Sequence, residues 1–171
     1  GHRGRIEKLT ISDDGRWLAS VGYQNTTTPS TLALWDLHAE DPESSLHMLP
    51  GNTSHFWEVA ISPNGRWLLT AGRISDRTVR VWDLTANKPD APSLVARGFD
   101  GPVWTSPPNR ALTISPDSRW LVALGGQLES LRGRLFRLKP HPVSSPLELV
   151  GHTATVNYYL YSWDSRWVVT G

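Results

Sequence analysis

The pattern Ser-x-(Asp/Asn)-x-Arg-Trp occurs four times in the chain and restricts its fold more than any other feature. The copies are Ser12-Asp13-Asp14-Gly15-Arg16-Trp17, Ser62-Pro63-Asn64-Gly65-Arg66-Trp67, Ser115-Pro116-Asp117-Ser118-Arg119-Trp120 and Ser162-Trp163-Asp164-Ser165-Arg166-Trp167. Each reads as a tight turn between two strands. Asp or Asn bonds its own backbone, Gly takes the positive φ that closes a short hairpin loop, and Pro fixes φ at the first central position. Ser118 and Ser165 lack that glycine, so their turns are expected to be slightly strained or of another type. A unit recurring roughly every 50 residues is architecture before it is chemistry.

Ahead of each turn lies a first strand, over 6–11, 56–61, 110–114 and 156–161. Its apolar residues, Ile6, Leu9 and Ile11 in the first copy and Phe56, Val59 and Ile61 in the second, step by three and then by two. That break in alternation is repaired if a β-bulge returns both ends of the strand to one face. Second strands over 17–22, 67–72, 120–125 and 167–171 are apolar along their length, which suits strands buried on both faces. Third strands run over 31–37, 78–84 and 133–138. In the middle one Val79 and Val81 alternate with Thr78, Arg80 and Trp82, the period of an extended chain. Fourth strands, 45–49, 93–96 and 147–150, follow Pro-bearing loops and read as outer edges. No segment has a helical period. The chain reads as all-β: three four-stranded antiparallel sheets and the first two strands of a fourth.

With 17 basic and 16 acidic residues, the chain lacks the phosphate-neutralising surplus on which non-specific nucleic-acid binding depends, and no nucleic-acid partner is expected. Arg132, Arg134 and Arg137 are either a local basic patch or charges that protect an exposed edge strand from aggregation. The absence of cysteine excludes disulfides and thiolate chemistry. It leaves the redox compartment open, with the cytoplasm as the favoured setting. No apolar run is long enough for a membrane helix, and no membrane partner is expected. Because the chain starts at Gly1-His2 and stops within a strand pattern, it is expected to be part of a longer protein.

These residues resemble the WD40 repeat, whose blades form a closed β-propeller. Gly1-His2, Gly151-His152, the Ser-Pro-Asn-Gly and Ser-Pro-Asp-Ser turns, and the dipeptides Trp35-Asp36 and Trp82-Asp83 stand at the hallmark positions over essentially the whole chain. The resemblance implies blades over 1–49, 50–96 and 97–150, the last degenerate with a loop insert at 100–108, and half a blade over 151–171. It also implies a buried tetrad in each blade that joins a His, a Ser or Thr, an Asp and the Trp of the third strand. The first copy supplies His2, Ser20 and Trp35 without an Asp in 23–30. The second supplies Thr70, Asp76 and Trp82, with Asn52 in the His slot. In the third, Phe99, Ala123 and Phe136 replace the polar members, and the fourth shows His152 and Thr170. Closure would need the remaining blades of the same full-length chain. An open fan would expose an apolar flank at each end, so self-association is expected of the chain alone.

Ser, His and Asp recur in register, once per repeat, which spreads them around an axis and argues against a hydrolase triad. No ligand spacing for a metal and no phosphate-binding loop is present, so no cofactor is expected. His38, His47 and His141 read as solvated loop histidines. The residues that break the repeat are more informative. In the family the rim formed by loops entering first strands and joining second to third strands commonly contacts partners. Here that rim would carry Arg5, Glu7, Lys8, His55, Trp57, Glu58, Arg73, Asn157 and Tyr158, with Trp104 in the insert as either a recognition anchor or a lid. Trp57 corresponds to Glu7 and Asn157, so it reads as either a binding residue or packing on a neighbouring blade. The reading that follows is a non-catalytic module for a protein or peptide partner, the docking end of a larger, bacterial-looking signalling protein. The alternatives are a propeller that shapes an enzyme's central channel with Glu7 and Glu58, and a structural spacer.

Overall fold

A computed structural model describes residues 2–23, 30–50, 56–72, 76–86, 89, 91–97, 99, 101, 103, 112–126, 132–138, 142, 145–156 and 158–171, the side chains at 56 and 57 excepted. The strands are β1 (Arg5–Ile11), β2 (Trp17–Tyr23), β3 (Thr31–Asp36), β4 (His47–Leu49), β5 (Phe56–Ile61), β6 (Trp67–Gly72), β7 (Val79–Asp83), β8 (Leu94–Ala96), β9 (Leu112–Ile114), β10 (Trp120–Gly125), β11 (Arg132–Arg137), β12 (Leu147–Leu149), β13 (Tyr159–Tyr161) and β14 (Val168–Thr170). Among the described residues there is no helix. Strands pair in chain order into antiparallel sheets, β1-β2-β3-β4, β5-β6-β7-β8, β9-β10-β11-β12 and the two-stranded β13-β14. The fold class therefore agrees with the sequence pattern.

The repeated turn residues have a common explanation. The hydroxyl oxygen of Ser12, Ser62, Ser115 and Ser162 accepts a hydrogen bond from the backbone N–H of Trp17, Trp67, Trp120 and Trp167 at 2.8–3.0 Å. Each hydroxyl in turn donates to the carboxylate or amide oxygen two residues on, at Asp14, Asn64, Asp117 and Asp164. Ser, Asp or Asn, and Trp are thereby tied into one loop whose donors and acceptors are matched locally. All four turns are of one type: Gly15 and Gly65 sit at φ 71 and 67°, and Ser118 and Ser165 at φ 57°. The serines accept the steric cost of positive φ, and each makes a contact that glycine cannot. Ser118 Oγ accepts from Asn64 N at 3.2 Å, and Ser165 Oγ from Asp117 N at 3.0 Å, linking each turn to that of the preceding sheet.

Bulges lie where the apolar spacing requires them. The ladder between β1 and β2 slips between Ile6 and Lys8, and that between β5 and β6 slips between Phe56 and Glu58, leaving Glu7 and Trp57 unpaired at matching positions. After the slip, Ile6, Leu9 and Ile11 oppose Gly22, Ser20 and Leu18, on a single face.

The core lies between sheets, not within them. Val21, Leu32 and Leu34 of the first sheet meet Val59, Leu68 and Trp82 of the second. The other face of the second sheet, with Trp67, Leu69, Val79 and Val81, meets Leu112, Leu121 and Phe136 of the third. Every residue of β6 is buried as a result. From sheet to sheet β1 neighbours β5 and β5 neighbours β9, with β2 also meeting β5, so the first strands line the inner edge of the stack. One expectation needs correction: β11 lies inside its sheet between β10 and β12, so its arginines do not guard an exposed edge. Arg134 is largely covered and pairs with Glu148 at 3.4 Å.

At the ends, the faces that would receive further sheets are open. Leu9 and Ile11 are 61% and 57% exposed at one end, and Leu160 and Trp167 are 73% and 68% exposed at the other. The two faces are unlike. The first has the character that β5 and β6 turn toward the first sheet, and the second has the character that β6 and β7 turn toward the third. A head-to-tail contact between copies is therefore heterologous, and it adds copies in one direction until a ring closes. The 171-residue chain alone should give concentration-dependent growth in light scattering; a sharp monomer with one cooperative melt would contradict this.

Candidate interaction rim and its polar supports

Because successive strands reverse direction, the starts of β1, β5 and β13 share one end of the stack with the ends of β2 and β6. The hairpin turns and the ends of β3 and β7 share the other. At the first end, Arg5 Nη2 donates to Glu7 Oε1 at 2.7 Å, and its guanidinium lies 5.2 Å from the Tyr23 ring centroid. Lys8 Nζ donates to Glu58 Oε2 at 2.9 Å, joining the first sheet to the second. Tyr158 exchanges backbone hydrogen bonds with Gly171 at 2.8 and 2.9 Å, and its ring is exposed. The structure thus brings Arg5, Glu7, Lys8 and Glu58 together as two ion pairs. His55, Arg73, Trp104 and Asn157 lie outside the described residues, and Trp57 is described by its backbone alone. The insert is anchored at Val103, which bridges Gly125 and is buried against the third sheet.

Beneath this rim, His2 lies with Nε2 2.5 Å from Ser20 Oγ and Nδ1 2.5 Å from Thr31 Oγ1. Thr31 therefore takes the place left by the missing Asp, a role the sequence reading did not assign. Burial lowers the His2 pKa, which favours a neutral ring with one donor and one acceptor nitrogen. Gly22 is small for a reason: a Cβ there would lie 2.2 Å from His2 Nδ1. Trp35 meets the imidazole edge-on at 6.3 Å. In the second sheet Trp82 Nε1 donates to Thr70 Oγ1 at 3.4 Å, Thr78 donates its hydroxyl to Asp76, and Arg80 Nη1 pairs with Asp76 at 2.9 Å. Asn52 lies outside the described residues. The third sheet replaces the network with Phe99 and Phe136, 6.3 Å apart over Ala123, and Gly125 admits Phe99 where a Cβ would stand 2.3 Å from its ring. In the fourth, His152 Nε2 lies 2.6 Å from Thr170 Oγ1.

Ser20 is fully buried and both ring nitrogens of His2 meet hydroxyls, so among the described residues His2 and Ser20 are not joined by a carboxylate as in a triad. Among the described residues no group of three or more His, Asp or Glu is placed to hold a metal. His38 is exposed, whereas His47 opens β4 and is half-buried, contrary to its reading as a solvated loop residue.

At the opposite end, a repeated ion pair closes each of the first two sheets. Arg16 grips Asp36 through Nε at 3.2 and 3.3 Å and Nη2 at 2.8 Å, and its guanidinium stacks 4.8 Å from the Trp17 ring. Arg66 grips Asp83 with the same distances and stacks 4.3 Å from Trp67. Arg16 holds the Asp36 carboxyl below the usual carboxylate range. For Asp83, burial pushes upward, but bonds from Arg66 and Thr85 outweigh it and the net shift is down. Depressed folded-state values add stability above the unfolded pKa, and that stability is lost as pH falls through the folded value. The pairs are partly exposed, so each contributes at most about 1 kcal/mol. Urea midpoints should therefore fall more steeply below about pH 4 for the wild type than for the Asp36→Asn/Asp83→Asn variant; equal slopes would remove these pairs from the account.

Stacked four-stranded antiparallel sheets, each with a bulged or short inner strand and a Ser-capped hairpin turn, packed face to face on their neighbours, define a segment of a β-propeller. The chain belongs to the WD40-repeat family: the family described as "WD domain, G-beta repeat" matches residues 43–83. It is 32% identical over 124 residues to the small ribosomal subunit protein RACK1 of Schizosaccharomyces pombe, a match covering 72% of this chain and 35% of that protein. It is 30% identical over 80 residues to the target of rapamycin complex subunit LST8 of Saccharomyces cerevisiae, covering 47% of this chain and 23% of that protein. The chain thus spans no more than 35% of the length of these relatives. Among solved structures it superposes on a chain of the mitotic checkpoint complex with a TM-score of 0.62 at 19% identity, covering 100% of this chain and 47% of that one. The tricorn protease gives 0.65 at 14% identity, covering 94% and 14%. Both likenesses are of fold.

Proposed function

We propose that the chain is a non-catalytic section of a propeller whose rim at the starts of β1, β5 and β13 binds a protein or peptide partner. The observation that carries this reading is the matched bulge at Glu7 and Trp57. The fold holds one backbone device at the same place in two sheets and puts chemically unlike residues there. Positions that only shape the stack, such as the turn serines, repeat their chemistry instead. The names of RACK1 and LST8, a small ribosomal subunit protein and a complex subunit, support a place within larger assemblies. A docking role in a signalling protein extends that reading. The alternative, a catalytic central channel, would draw on Glu7 and Glu58, and each of these is engaged by a cation of the same chain, Arg5 and Lys8.

The test is affinity capture with the full-length protein, comparing wild type with Trp57→Ala and Arg5→Ala after circular dichroism has shown equal folding. Loss of one defined partner from both variants is the expected result. Equal recovery of every partner would remove the rim from the proposal.

A further inference from the structure

The ion pair that closes the first two sheets at their turn end is charge-inverted in the third. The backbone frame is the same in all three: Leu37, Leu84 and Leu138 donate their N–H groups to the carbonyls of Arg16, Arg66 and Arg119, each at 2.7 Å. In the ladders, Trp17 faces Asp36, Trp67 faces Asp83, and Trp120 faces Arg137. Arg137 therefore occupies the place from which the other sheets present a carboxylate to the turn arginine. It is exposed and has no partner among the described residues. Arg119 is 67% exposed and, among the described residues, reaches only Asp117, at 3.7 Å through Nε, while Asp117 is already held by the hydroxyl of Ser115 and the N–H of Arg119.

We infer that Arg119 and Arg137 form a carboxylate-binding site at the turn end of the third sheet, filled by an acidic segment of a partner protein. The ligand class is set by what this frame does elsewhere in the molecule, where an arginine at the Arg119 position takes an Asp carboxylate through both Nε and Nη2. Such a fork is matched to a planar carboxylate, and the second guanidinium adds charge complementarity for a partner with successive acidic residues. The site is at the end of the stack opposite the rim, so its failure would leave the rim reading untouched.

The experiment is fluorescence anisotropy of a labelled decapeptide of alternating Glu and Ser, titrated with the full-length protein at low salt. Saturable binding is expected, at least tenfold weaker for Arg137→Asp, which rebuilds the pairing of the other sheets, and weakened also for Arg137→Gln should the first variant fold poorly. Arg132→Asp makes the same charge change at the far end of β11 and is expected to bind like the wild type. Absence of saturable binding to the wild type would overturn the inference, as would equal loss in Arg132→Asp and Arg137→Asp. Displacement of the peptide by inorganic phosphate or duplex DNA at equal charge concentration would overturn the choice of ligand.

Discussion

Trp82→Ala is expected to lower the stability of the chain by about 3–5 kcal/mol, the cost of removing a large buried aromatic side chain and leaving a cavity. Trp82 is fully buried in the cluster where the second sheet meets the first, beside Val59, Leu68 and Leu84. Its Nε1 donates to the equally buried Thr70, so truncation would also leave a hydroxyl without its donor. The comparison is Trp167→Ala. Trp167 closes its turn as Trp67 does, yet it is 68% exposed because nothing covers that face. Its loss should move the urea midpoint, read by far-UV circular dichroism in dilute solution, by no more than about 0.5 kcal/mol equivalent. Similar losses for both variants would mean that the sheets are not stacked as described.

Asp76→Ala should cost a comparable amount, about 3–5 kcal/mol, by a different mechanism. The Asp76 side chain is 3% exposed and its Arg80 partner 14%, and the carboxylate also accepts the Thr78 hydroxyl. Removing Asp76 alone strands the Arg80 guanidinium in a site with little access to water. Replacing both charges, in Asp76→Ala/Arg80→Met, removes the stranded group and should recover a substantial part of the loss. A double variant no more stable than Asp76→Ala would show that the buried charge is not the source of the cost.

How much of this could be read from the sequence depended on whether the relevant contact is local. The hairpin turns were legible because Ser, Asp or Asn, and Trp satisfy one another within five residues, as the bonds around Ser62 show. The bulges were legible because Ile6, Leu9 and Ile11 share a face only if the ladder slips. What was hidden depends on contacts between repeats or on register. That Ser118 reaches the Asn64 amide of the preceding turn could not be read from its own repeat, where it appeared only as a missing glycine. Thr31 as the second partner of His2 was missed because the reading sought an Asp in the preceding loop, whereas the hydroxyl opposite Gly22 serves. Edge protection was one of the two readings of the β11 arginines because a charged, degenerate strand resembles an edge, and only the pairing with β12 shows it to be interior. Arg137 stood out in the sequence only as one of three arginines of that strand; its place opposite Trp120, where the other sheets present an Asp, required the ladder and the shared backbone frame.

The central claim is that successive sheets are packed face to face, so that the second is sealed on both sides while the last pair of strands is open on one. Hydrogen–deuterium exchange of the chain, resolved by residue, measures that arrangement directly, since protection follows burial and cooperative packing. The amides of Trp67–Gly72 should exchange slowest and those of Tyr159–Tyr161 and Val168–Thr170 among the fastest of the strand amides. Equal protection in the second and last sheets, or slow exchange confined to the turns, would contradict it.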